Sequence, residues 1–319
     1  MISQHVRKKT REYPNRFFDS SVWNDLAPVS YTHLTLPTND LALRRGDIVI
    51  ASYAKAGTTW LQQIVAQLIF GGEPNIDVSA ISPWVDGVYP DKATKLALLK
   101  AQSHRRFMKT HLPADALVTS PLARYLYIGR DGRDMALSLY DHQCAVSQDA
   151  QARLHANGGK SGKLRVVSPP GLPRDAYVAH WLEYDGAPFW PLWENVRSWW
   201  ERREDANVLL LHYADLLDDL PGQIRLIAAF LGITVAQDRW DAIVAHCRFD
   251  YMRQHAARYV PQGTGLWRED GKAFFNQGRI GRWREVLPAE LNTAYSRRAE
   301  AELGRDAAQW LAHGQTQTS

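Results

Sequence analysis

Apolar and polar positions along the chain follow two periods, and the changes of period fall at the ends of short apolar runs. Three runs predict strands, at residues 47–53 (DIVIASY), 123–128 (ARYLYI) and 207–212 (NVLLLH), and a weaker fourth covers 106–109 (RFMK). Uninterrupted apolar runs of this length fit strands covered on both faces. Between them, apolar residues recur at helical spacing over 58–69, 133–144, 193–203, 218–231 and 239–247, and an amphipathic helix is expected over 288–304. Strands alternating with helices predict an α/β fold: a central parallel sheet flanked by helices, with binding loops at the carboxyl ends of the strands.

No internal repeat interrupts this pattern. Residues 1–319 read as one domain, with 1–40 as an N-terminal extension and acceptor-side segment. Residues 146–175 break the periodicity with a Gly-rich stretch (NGGKSGK) and then Pro169, Pro170 and Pro173, which predicts a flexible surface loop. Gly159-Lys160-Ser161 within it looks like a phosphate loop, but no strand precedes it.

Composition narrows the function class. Hydrophobic residues at 45% and charged residues at 23% are ordinary for a soluble globular protein. A net charge of +4 is too mild for a dedicated nucleic-acid binder but suits an anionic small molecule. Cys144 and Cys247 offer neither a disulfide framework nor a paired metal site, which points to a reducing compartment. No apolar stretch approaches the roughly 20 residues of a membrane span. The expectation is a cytoplasmic protein with a small-molecule partner and neither nucleic acid nor membrane. Several of the twelve Trp residues lie in loops or beside Pro (Trp84, Trp190, Trp193, Trp267), which hints at an aromatic-lined pocket.

Candidate chemistry gathers where strands end. After the first strand, Lys55, Gly57, Thr58, Thr59 and Trp60 crowd into the turn before a helix. Gly57 lets the backbone approach an anion, the first-turn N–H groups point at it, and Lys55 adds charge. The spacing differs from G-x-x-x-x-G-K-[ST]. Thr58 is expected to cap the helix, and an ordinary capped helix with a solvated Lys is the bland alternative. After the next strand, Lys109 and His111 share a face at a spacing of two; a His there can serve as general base, although a lone His is more often structural. Arg130 leaves the third strand, with Ser138 about two helical turns further on, and an Arg fork suits phosphate. A surface ion-pair cluster of Arg130, Asp131, Arg133 and Asp134 is the competing explanation.

Taken together and in order, these segments resemble the cytosolic sulfotransferases, which use 3′-phosphoadenosine 5′-phosphosulfate (PAPS). Residues 53–60 (YAKAGTTW) look like the family's 5′-phosphosulfate loop, 109–113 (KTHLP) its catalytic-His segment, and Arg130 to Ser138 its 3′-phosphate motif. Residues 208–216, 189–201 and 274–283 also match, so the resemblance runs from about residue 45 to 285. It implies that Lys55, Gly57, Thr58, Thr59 and Trp60 hold the 5′-phosphosulfate, and that Arg130 and Ser138 take the 3′-phosphate. Tyr213 and Phe249, with Trp60 nearby, would contact adenine. Cys247 stands where many relatives carry Thr. Where relatives show Arg-Lys-Gly, this chain reads Asn276-Gln277-Gly278, followed by Arg279 and Gly281. Weaker or differently shaped 3′-phosphate recognition is expected, not its loss, with Arg279 as a substitute cation and Asn276 and Gln277 still able to donate hydrogen bonds.

The resemblance also implies a mechanism. His111 takes the acceptor's proton, Lys55 neutralises the departing phosphate, Lys109 steadies the sulfuryl oxygens, and Ser138 holds Lys55 aside. No metal is needed, since Lys and backbone dipoles supply the positive field. Trp84, Tyr89, Tyr140 and His142 are candidates for an apolar or aromatic acceptor pocket, together with residues 81–86 and 188–193. The other readings are a P-loop small-molecule kinase and a non-enzymatic nucleotide-binding protein. Acceptor identity and oligomeric state have no signal in the sequence.

Overall fold

The computed structural model describes residues 43–87, 90–150, 171–186, 189–260 and 264–315. Four strands form one parallel sheet: β1 (Ile48–Ser52), β2 (Phe107–Thr110), β3 (Arg124–Gly129) and β4 (Val208–His212), in the order β2-β1-β3-β4. Every strand run expected from the sequence is present, each shifted by at most one residue at either end. Ile50 lies opposite Lys109 in β2 and Leu126 in β3, and Gly129 lies opposite His212, so the strand ends are level.

Both faces of the sheet are covered, which is why the strands read as continuous apolar runs. Successive side chains alternate between two clusters. Ile48, Ile50, Phe107, Leu126, Ile128 and Leu211 pack beneath helices α1 (Thr58–Ile69) and α6 (Leu220–Leu231). Val49, Ala51, Met108, Tyr125 and Tyr127 meet α5 (Leu192–Trp200), α7 (Ala289–Leu303) and α8 (Arg305–His313), where Trp199 and Trp310 lie. Helix α1 buries Leu61, Ile64, Val65 and Leu68, and α6 buries Ile224, Ile227, Ala228 and Leu231, both at i, i+3, i+4, i+7. Each of these Leu, Ile and Val side chains stabilises the fold by roughly 1.5–3 kcal/mol through lost apolar surface. The remaining longer helices are α2 (Lys92–Ala101), α3 (Gly132–Cys144) and α4 (Arg174–Glu183).

Two helices stand here: a short one, Tyr213–Asp218, which the periodicity did not predict, and α6, which is the helix expected over 218–231 with its start two residues later. Asp219 ends the first and caps the second by accepting from the Gly222 N–H, and a Pro in the first turn of α6 fits only a helix start. The helix expected to run to Arg203 stops at Trp200. Thr58 is not a cap: Gly57 occupies that position at φ 118°, and the Thr58 hydroxyl instead bonds Ser52 Oγ at 2.5 Å. The 1–40 extension and residues 151–170 of the expected loop, including Gly159-Lys160-Ser161, lie outside the described residues. Among the described residues no helix is long and apolar enough to cross a membrane.

Strand order fixes where a ligand can enter. The chain moves from β1 outward to β2, then back across to β3 on the other side of β1, so the crossovers leave a crevice at the carboxyl ends. The residues that follow all four strands meet there.

Candidate active site

One pocket at the strand ends is lined by Lys55 and Gly57–Trp60 after β1, Lys109 and His111 at the end of β2, Arg130 after β3 and Tyr213 after β4. Ser138 and His142 reach it from α3, and Phe249 and residues 273–279 close it from the far side. Of the residues expected from the sequence, Trp84 also lines it. Tyr89 lies outside the described residues. Tyr140 does not join the pocket: it packs edge-on to Tyr177 at 5.4 Å with the Arg174 guanidinium beside it, because α3 turns only Ser138, Leu139 and His142 inward. Cys247 is fully buried in the α1 cluster, and only its carbonyl serves the site, accepting from Trp60 Nε1 at 2.7 Å.

The β1–α1 turn is shaped for an anion. The first turn of α1 has neither a capping side chain nor an acid, so its N–H groups keep their partial positive charge. A Cβ on Gly57 would come within 2.9 Å of the Tyr213 ring and 3.0 Å of Ile128 Cδ1, and its φ of 118° strains any other residue. Lys55 holds φ 67°, the left-handed region that few side chains enter. Its Nζ sits 4.4 Å from the Phe274 ring centroid and 3.1 Å from His142 Nδ1. The resemblance implied Ser138 as the residue holding Lys55; the hydrogen bond of Lys55 goes instead to His142, one helical turn further along α3.

His111 is fixed on every side. Its backbone N–H donates to both Asp86 carboxylate oxygens at 3.2 Å, and its carbonyl accepts from Asn195 Nδ2 at 2.9 Å. The ring lies against Trp190, stacked at 5.4 Å, with the Trp84 ring edge-on at 5.1 Å. Its Nδ1 is 2.9 Å from the Ser52 carbonyl. A carbonyl can only accept, so Nδ1 carries the proton and Nε2 is left with a bare lone pair. Burial, with repulsion from Lys109 and Lys55, pushes the His111 pKa down to about 4 against the opposing pull of Asp86, so the ring is neutral at pH 7.

The cations here are crowded and poorly neutralised. Burial, then Arg130 and Lys109, lower the Lys55 amine to about 7, and burial lowers Lys109 to about 8. Arg130 donates to the Lys55 and Arg279 carbonyls at 3.1 Å, lies 4.3 Å from the Tyr213 ring centroid, and keeps a buried Nε without a partner. Among the described residues no ion pair joins Lys55, Lys109 or Arg130 to a carboxylate. Cations left in this state suit an anionic ligand.

On the opposite side, Gly278 at φ 64° packs so closely on Phe249 that a Cβ would come within 2.6 Å of that ring. Trp60 and Tyr213 meet edge-on at 5.2 Å, so three aromatic rings border the mouth. Arg279 does not stand free as the substitute cation. Its two terminal nitrogens are bound to Glu285 at 2.6 and 2.9 Å, and its Nε donates to Gln277. Asn276 donates to Asp141 at 2.5 Å. Sequence reasoning missed Arg282, which is buried, lines the pocket and pairs with Asp141 at 2.5 Å. Its signal was a cation inside the Gly278–Gly281–Trp283 frame. Ser52 and Asn195 were missed as well; each is a lone polar residue in an apolar strand or helix face.

A sulfotransferase-domain family model matches residues 45–307. Glycolipid sulfotransferases of Mycobacterium bovis and Mycobacterium tuberculosis are 31% identical over 298 residues, covering 86% of this chain and 90% of theirs. Mouse sulfotransferase 1B1 is 28% identical over 253 residues, covering 76% of this chain and 77% of its own. Among solved structures, mouse sulfotransferase SULT7A1 complexed with PAP shares the fold at a TM-score of 0.65 and 22% identity, covering 94% of this chain and 97% of that one. With a domain match across most of its length and relatives at this identity, the chain belongs to the sulfotransferase family and transfers a sulfuryl group.

Proposed function

We propose that the sulfuryl donor is PAPS and that the acceptor is a hydroxyl or amine of a small molecule with an apolar or aromatic body. The observation that carries this reading is the convergence of Lys55, Lys109 and Arg130, none paired with a carboxylate among the described residues, on a pocket that also holds a neutral imidazole with a bare Nε2. Bound PAPS supplies the sulfuryl group and a phosphate that can leave. The uncapped turn of α1 with Lys55 fits the 5′ end of this donor, and the orphaned Arg130 Nε, with Ser138 beside it, fits the 3′-phosphate. Trp60, Tyr213 and Phe249 offer rings to the adenine, with Gly278 letting the arm approach closely.

His111 Nε2 then takes the acceptor's proton as the acceptor oxygen or nitrogen bonds to sulfur. The sulfur–oxygen bond to the phosphate breaks, and its electron pair leaves with the phosphate. Lys55 meets that growing charge, and Lys109 lies close enough to face the transferring oxygens. Charge stabilisation and alignment carry the rate, as in phosphoryl transfer. A pKa of about 4 leaves His111 unprotonated, and an anion beside Lys55 and Lys109 removes part of the repulsion that weakens it as a base. Trp84, Phe189 and Trp190 flank His111 and suit a flat or apolar acceptor. The mycobacterial relatives are named for glycolipids, and aromatic walls also suit a sugar face, so glycolipid hydroxyls belong in the acceptor panel with phenols, alkyl alcohols and amines.

The test is transfer from labelled PAPS across that panel by wild type and His111→Ala. Losing a positioned general base typically slows transfer 100- to 10,000-fold. His111→Ala should lose turnover to that extent while retaining PAP affinity within a few-fold. Near-normal turnover would remove His111 as the base, and turnover with ATP and Mg²⁺ in place of PAPS would favour a kinase.

A further inference from the structure

Lys55 and His142 are 87 positions apart in the chain, yet their side chains form the hydrogen bond that decides where the Lys55 amine points. The His142 ring lies 4.6 Å from the Trp267 ring and 5.6 Å from the Phe274 ring. Phe274 is also the ring beneath Lys55 Nζ. Trp267 is tied back to α3: its backbone bridges Val146, and the neighbouring Arg268 N–H donates to the Ala145 carbonyl at 2.9 Å. The imidazole is therefore clamped by its own helix and by the arm it packs against.

We infer that His142 is a positioning residue for the transfer, holding the Lys55 ammonium by Nδ1 so that the amine stays both aimed along the pocket wall and charged. An acceptor at that place must be neutral. A carboxylate would cancel the charge that the phosphate requires, and an apolar residue would leave the ammonium buried with no acceptor for its protons. A neutral imidazole accepts a hydrogen bond without neutralising the cation. Burial, then the positive charges of Lys55 and Lys109, hold the His142 pKa well below its ordinary value, so its Nδ1 lone pair is available at neutral pH. The charged groups acting on Lys55 are Arg130 and Lys109, which disfavour its proton, and Asp141, which favours it. His142 adds a hydrogen bond on the same side as Asp141. The sequence position places His142 among acceptor-pocket candidates; the geometry turns its ring nitrogen toward Lys55 instead.

This inference rests on the reading of Lys55 as the cation for the departing phosphate, and the experiment separates the two. The rate at which an amine-selective acylating reagent modifies Lys55 is followed against pH by peptide mass spectrometry, with no donor present. The wild-type midpoint should lie at about 7. In His142→Phe, loss of a hydrogen bond to a charged donor should move it down by about one pH unit. His142→Asn places an amide oxygen near the position of Nδ1 and should keep the midpoint close to wild type. The basic limb of kcat/KM for PAPS should shift in the same direction in each variant. If His142→Phe fails to fold, His142→Leu reads the same loss. An unmoved midpoint in the apolar variant overturns the inference, as does an Asn midpoint that falls with it, which would make the effect one of packing. Lys55→Met tests the underlying reading separately: near-wild-type turnover there sinks the role of Lys55 whatever His142 does.

Discussion

At the strand ends, Lys55, Lys109 and Arg130 face the pocket with no carboxylate at ion-pair distance among the described residues, whereas in the arm at 276–282 the cations that line it are already held by carboxylates. Arg279 is tied to Glu285 and Arg282 to Asp141. Both regions line the pocket, but the arm carries neutral amides at 276 and 277, and only the strand ends have charge to spare for a ligand. The difference follows from their supports. The strand ends are fixed by ladder hydrogen bonds, with level ends that bring four loops together. The arm is irregular, with positive φ at Gly278 and Gly281, and its side chains satisfy one another. Its contribution is close backbone approach and ring contact more than charge.

The sharpest way to break this comparison is to remove one cation from each region. Arg130→Met should weaken PAP binding about 10- to 100-fold, the scale of losing charge-assisted hydrogen bonds at a buried site. Arg279→Met should weaken it less than about threefold, because an exposed, paired guanidinium has little left to give. Calorimetric titration with PAP at fixed ionic strength measures both. Equal losses would erase the distinction between the regions.

A smaller effect separates the regions by acidity. The strand-end residues His111 and His212 are both pushed down to about 4, chiefly by burial. His212 donates Nε2–H to the Leu311 carbonyl and accepts the Ala214 N–H at Nδ1, an arrangement only the neutral ring can make. Their unfolded values lie near 6.5, so between pH 6.5 and 4 the unfolded chain binds more protons and stability falls as pH falls. Below about pH 4 the folded rings also protonate and the loss levels off. Each histidine should contribute on the order of 1–2 kcal/mol to that loss. Urea unfolding at pH 7 and pH 4.5 measures it, and His212→Gln should remove a substantial share. A flat profile across that window would mean neither ring is held neutral.

The same contrast explains what could be read from the sequence. The sheet, α1 and the residues after each strand were legible because both periodicities are local: Leu61, Ile64, Val65 and Leu68 announce a helix face, and IVIAS announces a strand buried on both sides. The start of α6 was read two residues early because Asp218 and Asp219 are both capping types, and only the Asp219 side chain accepts the Gly222 N–H. Lys55 with His142, Arg282 with Asp141 and Asn195 with His111 are pairs 84 to 141 positions apart. Nothing local marks them, since tertiary packing alone decides which polar groups meet. The pairing of Arg279 with Glu285 was hidden for the same reason: both residues were visible in the sequence, but their contact was not.

The arm can also be altered to resemble the strand ends. Gln277 is exposed, lines the pocket, and its Oε1 accepts from Arg279 Nε at 2.7 Å. Gln277→Lys places at this position a cation beside Arg279, whose acid partner Glu285 is already engaged by two hydrogen bonds from Arg279. An exposed charge acting on an anion across water adds only a modest attraction, so PAP affinity should rise by up to about fivefold at low salt. The gain should fade as ionic strength rises, because the Debye length shortens to about 8 Å near 0.15 M. The Asn276→Lys variant should gain less, since Asp141 already accepts from Asn276 and would pair with the new ammonium. A gain at position 277 that persisted in high salt would mean the charge had entered a buried contact, and the arm would then be a cation site left vacant by sequence change. A loss at both positions would mean that the neutral amides are themselves what the anion needs.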